Sequence, residues 1–135
     1  RSVSVSRKGN RDRWDRIAIE ACKQSHRPWL PTLAEESSLE TFIRDIDEGA
    51  TVFVGDIDGD TLGSFSNMSL KELEKVYLVI GPEGGFTVFE RQLQKHAGFR
   101  MLSVGDGILR TETAAVSLVA SIIGLVRPSS VKRDD

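Results

Sequence analysis

Cysteine is almost missing from this chain of 135 residues: Cys22 is the only one. An intrachain disulfide is therefore impossible, and a cysteine-based zinc cluster is excluded. A lone thiol fits a reducing compartment. Histidine is nearly as scarce, with only His26 and His96. Neither stands at a recognisable spacing from a serine, cysteine or carboxylate partner, so a nucleophilic hydrolase has little support. The net charge of −2 gives no global sign of nucleic-acid binding. No apolar run reaches the roughly 20 residues that a membrane span needs. The most apolar stretch, Ala114 to Val126, is interrupted by serines and a glycine. No secretory leader is visible. The chain opens on Arg1 rather than Met, which reads as a fragment or a processed product whose preceding segment would not be seen.

What is present suits an ordinary globular domain. Hydrophobic residues at 39% and charged residues at 28% are enough for one sizeable core. Charge is unevenly placed. Arg1, Arg7, Lys8, Arg11, Arg13 and Arg16 crowd the first sixteen residues, opposed there only by Asp12 and Asp15. Such an arm attracts phosphate, or is simply a solvated terminus.

Periodicity predicts alternating helices and strands. Residues 12–26 read as an amphipathic helix with Trp14, Ile17, Ala18, Ala21 and Cys22 on one face, stopped by Pro28 and Pro31. Ser37 to Glu40 reads as a capping box on a helix to about Asp47, ended by Gly49. Thr51 to Val54 is a short buried strand, Asp58-Gly59 a turn, and Leu62 to Ser66 a second, weaker strand. Ser69 to Glu72 caps a short helix. Val76 to Ile80, continuous and β-rich, is a strand buried on both faces. Thr87 to Glu90 caps a helix ending at Gly98, and Phe99 to Val104 is the next strand. A helix from about Thr111 to Val126 is apolar almost all round and expected in a core or a subunit interface. Strands alternating with helices indicate an α/β fold with a mostly parallel sheet flanked by helices.

Two glycine-bearing loops each follow a predicted strand and precede a predicted helix. They are Gly81-Pro82-Glu83-Gly84-Gly85 and Gly105-Asp106-Gly107. Open α/β sheets bind ligands at the carboxyl ends of their strands, where both loops fall. Neither loop is a Walker phosphate loop or a dinucleotide fingerprint. Each is either a tight turn or a backbone grip on a small ligand. The run Arg110-Thr111-Glu112-Thr113 opens the last helix, where free N–H groups favour anions and Thr111 or Thr113 can cap. Asp56 to Asp60 superficially suggests a calcium loop, but Thr61 and Asn67 stand where glycine and glutamate are required, so no metal is expected.

At residues 80–86 and 104–114 the sequence resembles the RsmE family of ribosomal RNA methyltransferases, a SPOUT-class family. The first block reads Ile80-Gly81-Pro82-Glu83-Gly84-Gly85-Phe86. The second runs from Val104-Gly105 through Ile108-Leu109-Arg110-Thr111-Glu112-Thr113-Ala114. A third block matches at Arg13-Trp14, Ile17, Glu20-Ala21, Gln24 and Arg27. Asp106-Gly107 and the acidic stretch Asp56 to Asp60 depart from the family pattern.

The resemblance implies a SPOUT α/β-knot, with a C-terminal trefoil knot, over residues 1–135. It implies a preceding PUA-like RNA-binding domain that this chain does not contain. It also implies S-adenosylmethionine as cofactor, a homodimer, small-subunit ribosomal RNA as partner and methylation of uridine N3. The cofactor-binding residues it implies are Val79, Gly81, Pro82, Glu83, Gly84 and Gly85, then Val104, Gly105, Ile108, Leu109, Thr111 and Thr113. Arg13, Gln24 and Arg27 are expected to meet RNA. Uracil N3 must lose a proton before it can attack a methyl group. Arg110 is the candidate to stabilise the resulting anion, and Glu83 or Glu112 to take the proton or to hold the loops. A bacterial cytoplasm and a plastid or mitochondrial matrix both fit. A non-catalytic RNA-binding relative and an unrelated α/β nucleotide-binding module stay open as alternatives.

Overall fold

A computed structural model describes residues 11–69 and 72–126. The basic residues Arg1, Arg7 and Lys8 lie outside that range, as does the middle of the capping box expected at 69–72. The elements run α1 (Arg11–Gln24), α2 (Leu39–Asp45), β1 (Thr51–Thr61), a 3-10 turn (Leu62–Phe65), β2 (Val76–Ile80), α3 (Val88–His96), β3 (Arg100–Ser103) and α4 (Thr111–Val126). The three strands form one parallel sheet in the order β2-β1-β3.

Alternation along the strands sorts the core into two layers. Phe53, Leu78, Ile80 and Leu102 face Leu118 and Ile122 of α4, together with Phe65 and Leu73. Val52, Val54, Tyr77, Val79 and Met101 face Phe42, Ile43 and Ile46 at α2, with Phe99. The expected α/β fold with a parallel sheet flanked by helices is therefore present. Gly55, pointing toward α4, leaves room for Leu118; a Cβ there would lie 2.5 Å from Leu118 Cδ1.

Caps fix the helix starts. Thr87 and Glu90 form the predicted capping box, with Glu90 N–H donating to Thr87 Oγ1 at 3.2 Å and Thr87 N–H to Glu90 Oε2 at 2.7 Å. A Schellman pair closes α3: Phe99 N–H donates to Gln94 O and Gly98 N–H to Lys95 O, each at 3.0 Å. The cap of α2 is one residue later than expected. Ser38 accepts from Thr41 N–H at 3.1 Å, and the helix ends at Asp45.

Other expectations are corrected. The short strand at 51–54 continues to Thr61, because the chain bulges between Gly55 and Asp60 and then pairs again with β3. The expected Asp58-Gly59 turn is part of that bulge. Leu62 to Phe65 is a 3-10 turn rather than a strand, and it sends Phe65 into the core. Residues 72–75 form turns, although Ser69 and Glu72 exchange their capping hydrogen bonds. Strand β2 is half-buried rather than covered on both faces, since it lies at the sheet edge. On α1 the apolar face is largely open: Cys22 is buried, while Trp14 and Ile17 are exposed. His26, just beyond α1, takes a left-handed φ of 52°, so the helix stops short of the predicted residue 26.

Gly59 makes the bulge possible. A Cβ at this position would lie 2.7 Å from Leu102 N and 2.7 Å from Met101 C, both backbone atoms that cannot swing aside. Gly59→Ala should cost about 1–3 kcal/mol, read as a lower denaturant midpoint. Gly63→Ala, whose Cβ would meet only Thr61 Oγ1 at 3.9 Å, should lose nothing. Equal behaviour of the two variants would contradict this packing.

Candidate functional site

Strands β2 and β3 flank β1 and run parallel to it, so their carboxyl ends reach the same edge of the sheet. The first glycine loop leaves β2 there. Gly85 N–H closes a turn on Pro82 O at 2.8 Å, with Gly85 at φ 70°, a conformation that favours glycine. The Phe86 ring folds back over Gly81; a Cβ on Gly81 would sit 3.0 Å from Phe86 Cε2. The second loop leaves β3. Ser103 Oγ shapes it, donating to Gly105 O at 3.0 Å and accepting from Gly105 N–H at 3.3 Å. One hydrogen bond ties the loops: Thr111 Oγ1 donates to Gly81 O at 3.3 Å. The Thr111 hydroxyl thus bridges the loops at the start of α4.

Between the loops lies a cleft of about 310 Å³, at the lower end of the range for small-molecule sites, roughly 300–1,000 Å³. Ile80, Phe86, Leu102, Ala114 and Leu118 contribute its apolar wall. A Cβ built at Gly84, Gly85, Gly105 or Gly107 would meet nothing within 4 Å, so the backbone is open to a ligand there. Such a cleft can hold a flat apolar group with main-chain polar groups at its margin.

The structure brings together most of the expected cofactor-binding residues. Gly81, Pro82, Glu83, Gly84, Gly85, Val104, Gly105, Ile108, Leu109 and Thr111 all line the cleft. Val79 does not; it points to the opposite face, into the α2 layer, because side chains alternate along a strand. Thr113 is also outside the lining. Of the catalytic candidates, Glu83 lines the cleft, while Arg110 and Glu112 are exposed beside it at the start of α4. Arg13, Gln24 and Arg27 are exposed on α1 and just after it, away from the cleft lining.

Of two further charged residues in the wall, Arg91 was not singled out from the sequence, and Asp56 only as part of the acidic stretch 56–60. Asp56, in the β1 bulge, and Arg91, in α3, form an ion pair at the cleft. The Asp56 side chain is only 5% exposed and that of Arg91 41%. Asp56 Oδ1 also accepts from Asp58 N–H at 3.1 Å. Among the described residues, no group of three His, Cys, Asp or Glu is placed to hold a metal, and no helix is long and apolar enough to cross a membrane.

Residues 1–123 match the family model of the RNA methyltransferase domain. The chain belongs to this family. The resemblance seen in the glycine-loop motifs is borne out by curated relatives. The ribosomal RNA small subunit methyltransferase E of Synechocystis is 34% identical over 118 residues, covering 85% of this chain and 39% of that protein. The enzyme of the same name from Aquifex aeolicus is 33% identical over 112 residues, covering 83% of this chain and 47% of its own length. Among solved structures, the Neisseria gonorrhoeae methyltransferase E bound to S-adenosyl methionine superposes with a TM-score of 0.75 at 30% identity, over 84% of this chain and 47% of that one. The chain therefore spans less than half the length of these relatives. Membership of the RNA methyltransferase family sets aside an unrelated nucleotide-binding module.

The cleft rests partly on α3, which carries Arg91 and whose start depends on Glu90. Its carboxyl lies below its ordinary value of 4.5, first because Thr87 N–H donates to it and then because the Thr87 hydroxyl does. A lowered folded pKa gives stability that is complete above the unfolded value and is lost as pH falls through the folded one. The protein should thus lose stability from about pH 5 downward, and Glu90→Gln should lose less over the same range. Thermal midpoints at stepped pH measure this, and parallel curves would remove Glu90 from the explanation.

Proposed function

We propose that this chain is the catalytic part of an S-adenosylmethionine-dependent methyltransferase that modifies N3 of a uridine in small-subunit ribosomal RNA. The observation that carries the proposal is the pair of glycine loops held together by the Thr111–Gly81 hydrogen bond around one apolar-walled cleft. The cleft suits the cofactor: its apolar wall fits an adenine ring, and open glycine backbone fits polar atoms at the ring edge. The solved relative with S-adenosyl methionine supports the same reading. When bound, the cofactor supplies a methyl group on a positively charged sulfur.

The chain's own residues position and polarise. Backbone groups of Gly81, Gly84, Val104, Ile108 and Leu109 hold the adenosine part. Arg110, exposed at the start of α4, offers a fixed cation that favours the deprotonated imide of uracil. Glu83, in the cleft wall, is the nearer candidate to take the N3 proton, and Glu112, exposed at the start of α4, is the other. The target base leaves its stack to reach the cleft. Arg13, Gln24 and Arg27 present polar groups to the RNA backbone from α1 and the segment just after it.

An exposed apolar surface supports a homodimer. Ile108 is 90% exposed and Val116 72%, and Val104, Leu109, Val119 and Ile123 are exposed beside them in sequence. Solitary proteins rarely leave so many large apolar side chains in one region of the chain to water. In the dimer a second copy covers this surface, beside the cleft, on a trefoil-knotted fold of the SPOUT type. The acidic stretch 56–60 favours an inactive relative less than its sequence suggests, because Asp56 is turned inward onto Arg91.

Titration calorimetry should show S-adenosylmethionine binding to the folded protein; a folded protein that takes up none would end the cofactor assignment. Arg110→Ala should keep cofactor affinity within about 2-fold while methyl transfer to unmodified small-subunit RNA falls about 100-fold or more. Unchanged turnover would take Arg110 out of the mechanism.

A further inference from the structure

We infer that Arg91 is the receptor for the carboxylate of the cofactor's amino-acid tail, and that Asp56 positions it. This rests on the cofactor reading above and goes beyond it by assigning a residue that the glycine-loop motifs do not contain.

The charge inventory of the cleft carries the inference. Among the described residues the lining holds three ionised side chains, Asp56, Glu83 and Arg91. Arg91 is the one cation. A ligand with an amino-acid tail brings one carboxylate, and within the cleft only Arg91 offers it an opposite full charge. Glu83 and Asp56 repel it.

The hydrogen bonding of the pair decides which partner is available. Both oxygens of Asp56 are engaged, Oδ1 by Asp58 N–H at 3.1 Å and Oδ2 by Arg91 Nη1. The carboxylate is also almost wholly buried. It has little left to offer a ligand. Arg91 is the reverse. A guanidinium has five N–H donors in a planar fork, and only Nη1 has a partner among the described residues. Its side chain is 41% exposed and reaches the cleft. Holding one arm on a buried carboxylate fixes the plane of the fork. The remaining donors can then meet a carboxylate in the paired geometry that guanidinium favours.

The two residues come from separate elements, Asp56 from the bulge of β1 and Arg91 from the first turns of α3. The bulge therefore has a chemical consequence: it turns residue 56 inward at the end of the sheet where the glycine loops emerge.

The test compares S-adenosylmethionine with its decarboxylated analogue, by calorimetry on the protein and three variants. The native protein should bind S-adenosylmethionine more tightly than the analogue. Arg91→Met should weaken S-adenosylmethionine binding about 10- to 100-fold and leave the analogue's affinity unchanged, which also shows that the variant is folded. Arg91→Lys should recover part of the loss. Asp56→Asn should reduce the preference for the carboxylated ligand by loosening the guanidinium. Equal losses for both ligands, or no loss for S-adenosylmethionine, would overturn the inference while leaving the cofactor assignment intact. If Arg91→Met binds S-adenosylmethionine normally but loses affinity for a short RNA, Arg91 serves a phosphate instead and the inference fails. A native protein that binds neither ligand would overturn the cofactor reading and this inference together.

Discussion

Parallel pairing of β1 with a neighbour on each side is the constraint on which the site depends. Parallel strands all point their carboxyl ends one way, so the loops that follow β2 and β3 must emerge at a common edge. Parallel order also requires a crossover between β2 and β3, and that crossover is α3, which brings Arg91 to the cleft. The missing side chain at Gly55 lets Leu118 close onto the sheet. This seats α4 so that Thr111 reaches Gly81. Sheet register, helix seating and the loop-to-loop hydrogen bond are successive consequences of one arrangement.

The cleft is economical in charge. Most of its wall is glycine backbone and apolar side chain, and its one buried carboxylate is neutralised by a neighbour. Low polarity strengthens whatever electrostatic contact a ligand makes there. In the proposed reaction, Glu83 would tolerate a cationic sulfur and Arg110, outside the lining, would meet the acceptor base. Opposite charges on the two sides of the loop edge would suit methyl transfer from a sulfonium to an anion.

Much of this was legible in the amino-acid sequence because it depends on local chemistry. The Thr87–Glu90 capping box, Gly98 at the end of α3 and the glycine loops are short-range patterns, and they stand where expected. Features that depend on the neighbouring strand were not legible. The stretch Asp56 to Asp60 is polar and reads as a turn, yet β1 continues beyond it because β3 supplies a second set of partners. Val79 sits beside the glycine loop in sequence, but strand alternation sends it to the other face. Arg91 follows a capping glutamate on an ordinary helix; nothing in its spacing distinguishes it from a solvated arginine until Asp56 folds against it. The apolar faces of α1 and α4 were read correctly as apolar, whereas their exposure is a matter of what packs on them.

In the proposed function the two glycine loops form one cofactor site. A crystal structure of the protein with S-adenosylmethionine tests it most directly. The adenosine part should lodge between Gly81–Gly85 and Val104–Leu109, with Thr111 still bonded to Gly81 O. Cofactor bound elsewhere on the chain, or loops that separate with the cleft left empty, would contradict it.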